Sequence, residues 1–159
     1  MNIHPLRELL NDEPLMAELS ATYGTPLYIY VKDQIGQNVN RLKHSLKPNF
    51  NQSHICYAVK ANSNPHLLKL MKSYHPGIGG DCSSPGEIYA AELAGIDPKK
   101  CLYTGNYESE PDLRLALKKG CYINLDDASS LDRLLSIGTP ERISFRLNPG
   151  FGKGTFSQI

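Results

Sequence analysis

One lysine stands where an apolar run stops. In Tyr57-Ala58-Val59-Lys60-Ala61-Asn62, Lys60 directly follows residues 55–59, a β-branched and aromatic stretch with no polar interruption. Burying an ammonium is costly, so such a lysine either snorkels to solvent or is desolvated for a purpose. Desolvation lowers a lysine pKa, which is what an amine needs to attack a carbonyl and form a Schiff base. Four further polar groups stand at the ends of later apolar runs: Asp81-Cys82-Ser83-Ser84, Gly105-Asn106, Asp126-Asp127 and Arg146-Leu147-Asn148. Gathered at one mouth, Asp81 would hold or orient Lys60, and Arg146 would hydrogen-bond an oxygen of a bound group. Each residue also has an ordinary structural reading. Asp81 and Asp127 suit helix caps, Asn106 suits a turn, and Arg146 suits an ion pair with Asp81 or Asp126.

The elements that must position these groups alternate strand, loop and helix. A helix is predicted over residues 5–23, closed by Gly24, then a short strand at 27–30. Ile35, Val39, Leu42 and Leu46 recur at helical spacing over 32–46, and Pro48 ends that helix. Strands are then predicted at 55–60, 78–82, 101–104, 122–125 and 142–147. Asn64-Pro65, Ser84-Pro85, Ser109-Glu110-Pro111 and Asp127 open the helices between them. Ser84 as N-cap, Pro85 in the first helical position and Glu87 three residues on read as a capping box. Strands alternating with helices imply a parallel sheet. No G-x-G-x-x-G follows the first strand, so an α/β barrel is favoured over a doubly wound dinucleotide fold. In such barrels chemistry gathers at the C-terminal strand ends.

Bulk properties narrow the function class. The chain has 159 residues, 17 basic against 16 acidic, and a net charge of +1, so it carries no electrostatic footprint for nucleic acid. No apolar run approaches the roughly 20 residues of a membrane span, and no secretory signal is visible, so a cytoplasmic protein is expected. Cys56, Cys82, Cys101 and Cys121 form no C-x-x-C pair and have no histidine cluster beside them. They read as reduced thiols, and no metal site is expected. Gly150-Phe151-Gly152-Lys153-Gly154 begins a glycine-rich loop that soon stops, as if a repeating architecture were cut partway. Five strands cannot close an eight-stranded barrel, so the isolated chain is expected to aggregate and to have little activity.

The ordered motifs resemble those of the fold-type III pyridoxal-phosphate decarboxylases, the ornithine/diaminopimelate/arginine decarboxylase group, with the diaminopimelate branch nearest. They are Thr25-Pro26-Leu27-Tyr28-Ile29-Tyr30, Tyr57-Ala58-Val59-Lys60-Ala61-Asn62, Gly80-Asp81-Cys82-Ser83-Ser84-Pro85-Gly86-Glu87, Gly105-Asn106-Tyr107-Glu108-Ser109 and Arg146-Leu147-Asn148-Pro149-Gly150. The resemblance implies an alanine-racemase-like (β/α)8 TIM barrel truncated after about five strands. Residues 31–159 would form the partial pyridoxal-phosphate-binding barrel. Residues 1–30 would pack with a C-terminal β-domain that is absent here. It further implies pyridoxal 5'-phosphate as cofactor, Lys60 as its covalent anchor, and Asp81 and Arg146 as cofactor contacts. The implied reaction converts meso-2,6-diaminopimelate to L-lysine and carbon dioxide, in a full-length homodimer. Another amino-acid decarboxylase of the group, or a non-catalytic cofactor-binding protein of this fold, are the alternatives. Alanine racemases share the fold, but Ser63-Asn64-Pro65-His66 departs from their continuation. Two positions depart from the decarboxylase motifs themselves: Pro85 replaces a usual glycine, and Glu108 a usual lysine, which makes that loop more acidic.

Overall fold

The computed structural model describes residues 5–147. The segment from Asn148 onward, including the expected glycine-rich loop, lies outside them. The chain divides into two compact units, Met1–Ser53 with Leu70–Pro76, and His54–Lys69 with Gly77–Ile159.

The first unit carries three helices: α1 (Pro5–Leu10), α2 (Glu13–Tyr23) and α3 (Lys32–Leu46). The single helix expected over 5–23 is therefore two. Pro14 lacks the N–H a helix interior needs but suits a first turn, and the Asp12 carboxylate accepts from Leu15 N at 3.1 Å to begin α2 afresh. Gly24, at φ 79°, ends α2 as expected. The strand expected at 27–30 is not formed. No strand among the described residues pairs with it, and an extended segment without a ladder partner is not a sheet strand. Within α3, Gly36 lies under the Tyr74 ring, where a Cβ would come within 2.5 Å of ring carbons.

The second unit is built on five strands: β1 (Cys56–Ala58), β2 (Gly79–Cys82), β3 (Leu102–Tyr103), β4 (Tyr122–Leu125) and β5 (Ile143–Phe145). All pair in parallel, in chain order β1-β2-β3-β4-β5. Helices α4 (Pro65–Tyr74), α5 (Pro85–Leu93), α6 (Glu110–Lys119) and α7 (Ala128–Ile137) follow the first four strands in turn. The parallel strands, their sequential order and the intervening helices are those of the expected α/β barrel, here an arc of five.

The helix starts are chemically capped. Ser84, Ser109 and Asp127 side chains accept from Glu87 N, Asp112 N and Ser130 N respectively. The capping box at Ser84 is displaced by one residue. Glu87 reaches back to Ser83, accepting from its N–H and its hydroxyl at 2.9 Å each. Gly95 and Gly120 take positive φ where α5 and α6 end, as C-terminal glycines do.

Burial alternates along β3 and β4, and this fixes the two faces of the sheet. Val59, Cys82, Tyr103, Ile123 and Leu125 are fully buried on the helix side, with Ile88 and Ala91 of α5, Leu113 of α6 and Leu134 of α7. Each large apolar side chain buried there contributes about 1.5–3 kcal/mol. The opposite face carries Ala58, Asp81, Leu102, Thr104, Tyr122, Asn124 and Ser144, none of them fully buried. Among the described residues only the helix side of the sheet is covered.

Candidate active site

Lys60 lies one step beyond β1. The expected strand over 55–60 stops at Ala58, and residues Val59–Ala61 make a 3₁₀ turn closed by Asn62 N donating to Val59 O at 3.1 Å. Val59 anchors the turn in the core while Lys60 projects to solvent. Two side-chain turns carry the chain onward into α4. Asn62 Oδ1 accepts from Asn64 N at 3.0 Å, and Asn64 Oδ1 accepts from His66 N at 2.9 Å. His66 itself is exposed on the helix, as a surface residue should be.

Asp81 stands on β2 level with Ala58, two residues before Lys60. No ion pair joins the two side chains among the described residues, so Asp81 does not hold Lys60 here. Its Oδ1 is instead buried without a hydrogen-bond partner. Thr104, just past β3 on the same face, has an Oγ1 in the same condition. Buried polar atoms are almost always paired, so two orphaned oxygens on neighbouring strands point to a polar group that completes them. Thr104 was missed in the sequence. The alternation through Leu102 is the signal that could have found it.

Arg146 leaves β5 with its N–H donating to Leu125 O at 2.8 Å. Its guanidinium reaches past β4 to the loop after β3, where Nη1 donates to Asn106 Oδ1 at 3.3 Å. An amide partner, rather than Asp81 or Asp126, aligns the guanidinium without neutralising it. Asp127 is the α7 cap. The Ser129 hydroxyl and Ser130 N–H it accepts hold its carboxyl below the ordinary aspartate value.

Glu108, expected to make the mouth more acidic, points inward instead. It is 3% exposed and rests against Ser130, away from the mouth. The cysteines are all free thiols, as expected. Burial pushes Cys121 up to about 12 and also raises Cys56. Among the described residues no cluster of three or more histidines, cysteines or carboxylates could hold a metal. A concavity of about 520 Å³ lies at the opposite, N-terminal ends of the strands. His54, Cys56, Tyr122 and Arg142 line it, away from Lys60.

Lys60, Asp81, Thr104, Asn106, Asp126 and Arg146 thus share the C-terminal edge of one parallel sheet. A free amine, two unsatisfied oxygens and an aligned guanidinium fit a cofactor that carries a carbonyl and several polar substituents.

Known proteins resemble this chain over most of its length. Residues 33–159 match the family described as pyridoxal-dependent decarboxylase, pyridoxal binding domain. The diaminopimelate decarboxylase of Methanothermobacter thermautotrophicus is 43% identical over 139 residues, covering 86% of this chain and 32% of the relative. That of Aquifex aeolicus is 37% identical over 157 residues, 96% of this chain and 36% of the relative. Among solved structures, diaminopimelate decarboxylase from Helicobacter pylori, complexed with L-lysine, superposes with a TM-score of 0.76 at 37% identity. The match covers 84% of this chain and 34% of that one. The chain spans about a third of the length of the curated relatives it matches. Five parallel strands and a family match over most of the residues lead to one assignment: this chain belongs to the pyridoxal-dependent decarboxylases, residues 33–159 matching their pyridoxal binding domain.

Proposed function

We propose that this chain is the cofactor-anchoring part of an amino-acid α-decarboxylase whose substrate is meso-2,6-diaminopimelate and whose products are L-lysine and carbon dioxide. The observation that carries the reading is the solvent-facing Lys60 amine on the same sheet edge as Asp81, with its orphaned Oδ1, and Arg146. Pyridoxal phosphate, when bound, supplies an electron sink for the pair left behind as carbon dioxide departs. The chain's own residues would do the rest of the local work. Lys60 would attach the carbonyl of the cofactor and yield it to the substrate amine. Asp81 and Thr104 would satisfy their open hydrogen-bonding positions against polar atoms at the mouth. Arg146, steadied by Asn106, would present its remaining donors to the cofactor. Residues 31–159 would form the partial barrel and residues 1–30 would pack with a β-rich domain. The whole protein would act as a cytoplasmic homodimer.

Borohydride reduction in the presence of pyridoxal phosphate, followed by peptide mapping, tests the anchor. The label is expected on Lys60 and lost in Lys60→Ala. Labelling of another lysine would overturn the assignment. Carbon dioxide release by the full-length protein from a panel of amino acids tests the substrate. Turnover of ornithine or arginine without turnover of diaminopimelate, or cofactor binding with no turnover, would reject it.

A further inference from the structure

The loop between β3 and α6 is the part of the mouth most tightly tied down, and its anchor is a buried acid. Glu108 Oε2 lies 3.0 Å from Ser130 Oγ, and Asp126 Oδ1 lies 3.3 Å from the same hydroxyl. A hydroxyl has one proton, so it cannot donate fully to two carboxylates. Both contacts become full hydrogen bonds when one of the acids donates to the serine instead. Their surroundings decide which. Asp126 has a second partner, since its Oδ2 accepts from Tyr107 N at 3.3 Å. Glu108 Oε1 is buried with no partner, facing the place where a side chain on Gly105 would have to fit. A charged oxygen there would be desolvated and unpaired, whereas a neutral carboxyl carries a far smaller penalty.

We propose that Glu108 is held as a neutral carboxylic acid that donates to Ser130 Oγ, which donates in turn to Asp126, and that this chain makes Glu108 a positioning residue for the Asn106–Arg146 pair. Asp126 and Asp127, from the turn into α7, disfavour a third negative charge, and burial raises the Glu108 pKa above its ordinary value. Tyr103 on β3 is itself held neutral by burial and by nearby Asp112. Arg133 of α7 spends its Nη1 on the Glu108 main-chain carbonyl, which pins the loop from a third side. The consequence reaches the mouth through Asn106, two residues before Glu108, which accepts from Arg146. This role rests on the proposed reading of the mouth, but the proton's location does not.

The test uses the intact protein, Glu108→Gln, which keeps a neutral donor, and Glu108→Ala, which keeps none. The infrared difference spectrum of the wild type against Glu108→Gln at neutral pH should show a protonated carboxyl band. Exchange protection of the Tyr107 amide should fall in the wild type as pH rises above the ordinary glutamate value, by up to about tenfold per pH unit. It should stay flat in Glu108→Gln and be low throughout in Glu108→Ala. An ionised carboxylate band in place of the protonated one, or Glu108→Gln losing as much protection as Glu108→Ala, would overturn the proposal. Failure of pyridoxal phosphate to label Lys60 would reject the reading of the mouth while leaving both readouts unchanged.

Discussion

Gly79 opens β2, two residues before Asp81, and a single methyl there should be severely destabilising. A Cβ at this position would lie 1.8 Å from the Lys100 carbonyl oxygen, 2.8 Å from its carbon and 2.8 Å from His54 Nε2. The carbonyl cannot retreat cheaply. It ends the 3₁₀ turn Pro98–Lys100, which is closed by Cys101 N donating to Pro98 O at 2.9 Å, and it is 2.8 Å from His54 Nε2. Nor can Gly79, whose N–H donates to Ile55 O at 2.8 Å. Relief requires β2 and the Lys100 turn to separate by roughly an ångström or more, at the upper end of overpacking costs, about 3 kcal/mol. For a chain of this size that is about 6–12 °C in melting temperature. Gly86 is the matched control. A Cβ there meets nothing closer than Ser84 Oγ at 3.8 Å, and it sits in α5, where alanine is worth about 0.5–1 kcal/mol over glycine. Thermal melts followed by circular dichroism should show Gly79→Ala falling and Gly86→Ala level or rising. A Gly79→Ala protein melting with the wild type would refute the packing argument.

Two further outcomes follow from local chemistry. Asp127 caps α7 as a carboxylate with a lowered pKa, so the stability it supplies is present above the unfolded aspartate pKa and is lost as pH falls through the folded one. Asp127→Asn keeps a good cap without the titration, so its melting temperature should fall less than the wild type's on acidification; superimposable acid limbs would count against this. Tyr107 holds φ at 58° although it is not glycine, and its ring is 90% exposed. Tyr107→Asn should therefore raise stability by up to about 1 kcal/mol in urea denaturation, because asparagine tolerates the left-handed region; a loss would mean that the ring makes a contact worth more than the strain.

Much of the sheet and its helices was legible in the sequence because those features are local. Ser84, Ser109 and Asp127 announce helix starts by chemistry that acts within three residues, and Gly95 and Gly120 announce ends in the same way. What stayed hidden depends on neighbours distant along the chain. Whether residues 27–30 form a strand depends on a pairing partner. The inward turn of Glu108 depends on Ser130, 22 residues away, and on the bare Gly105 beside it. The 3₁₀ turn that takes Lys60 out of β1 follows a buried Val59, and the apolar run 55–59 reads alike whether its last residue is strand or turn. The break before α2 was readable at Pro14, but the apolar periodicity on either side masks it.

The strict strand order has a kinetic side. Cys56 pairs with Gly79, Asp81 with Leu102, Leu102 with Tyr122 and Ile123 with Ile143, so each strand's partner follows it by roughly twenty residues. Among the described strands no ladder waits for a remote segment, and loop closure stays cheap at each of these steps. The sheet can lengthen in the order in which the ribosome delivers it, with the newest strand always the growing edge.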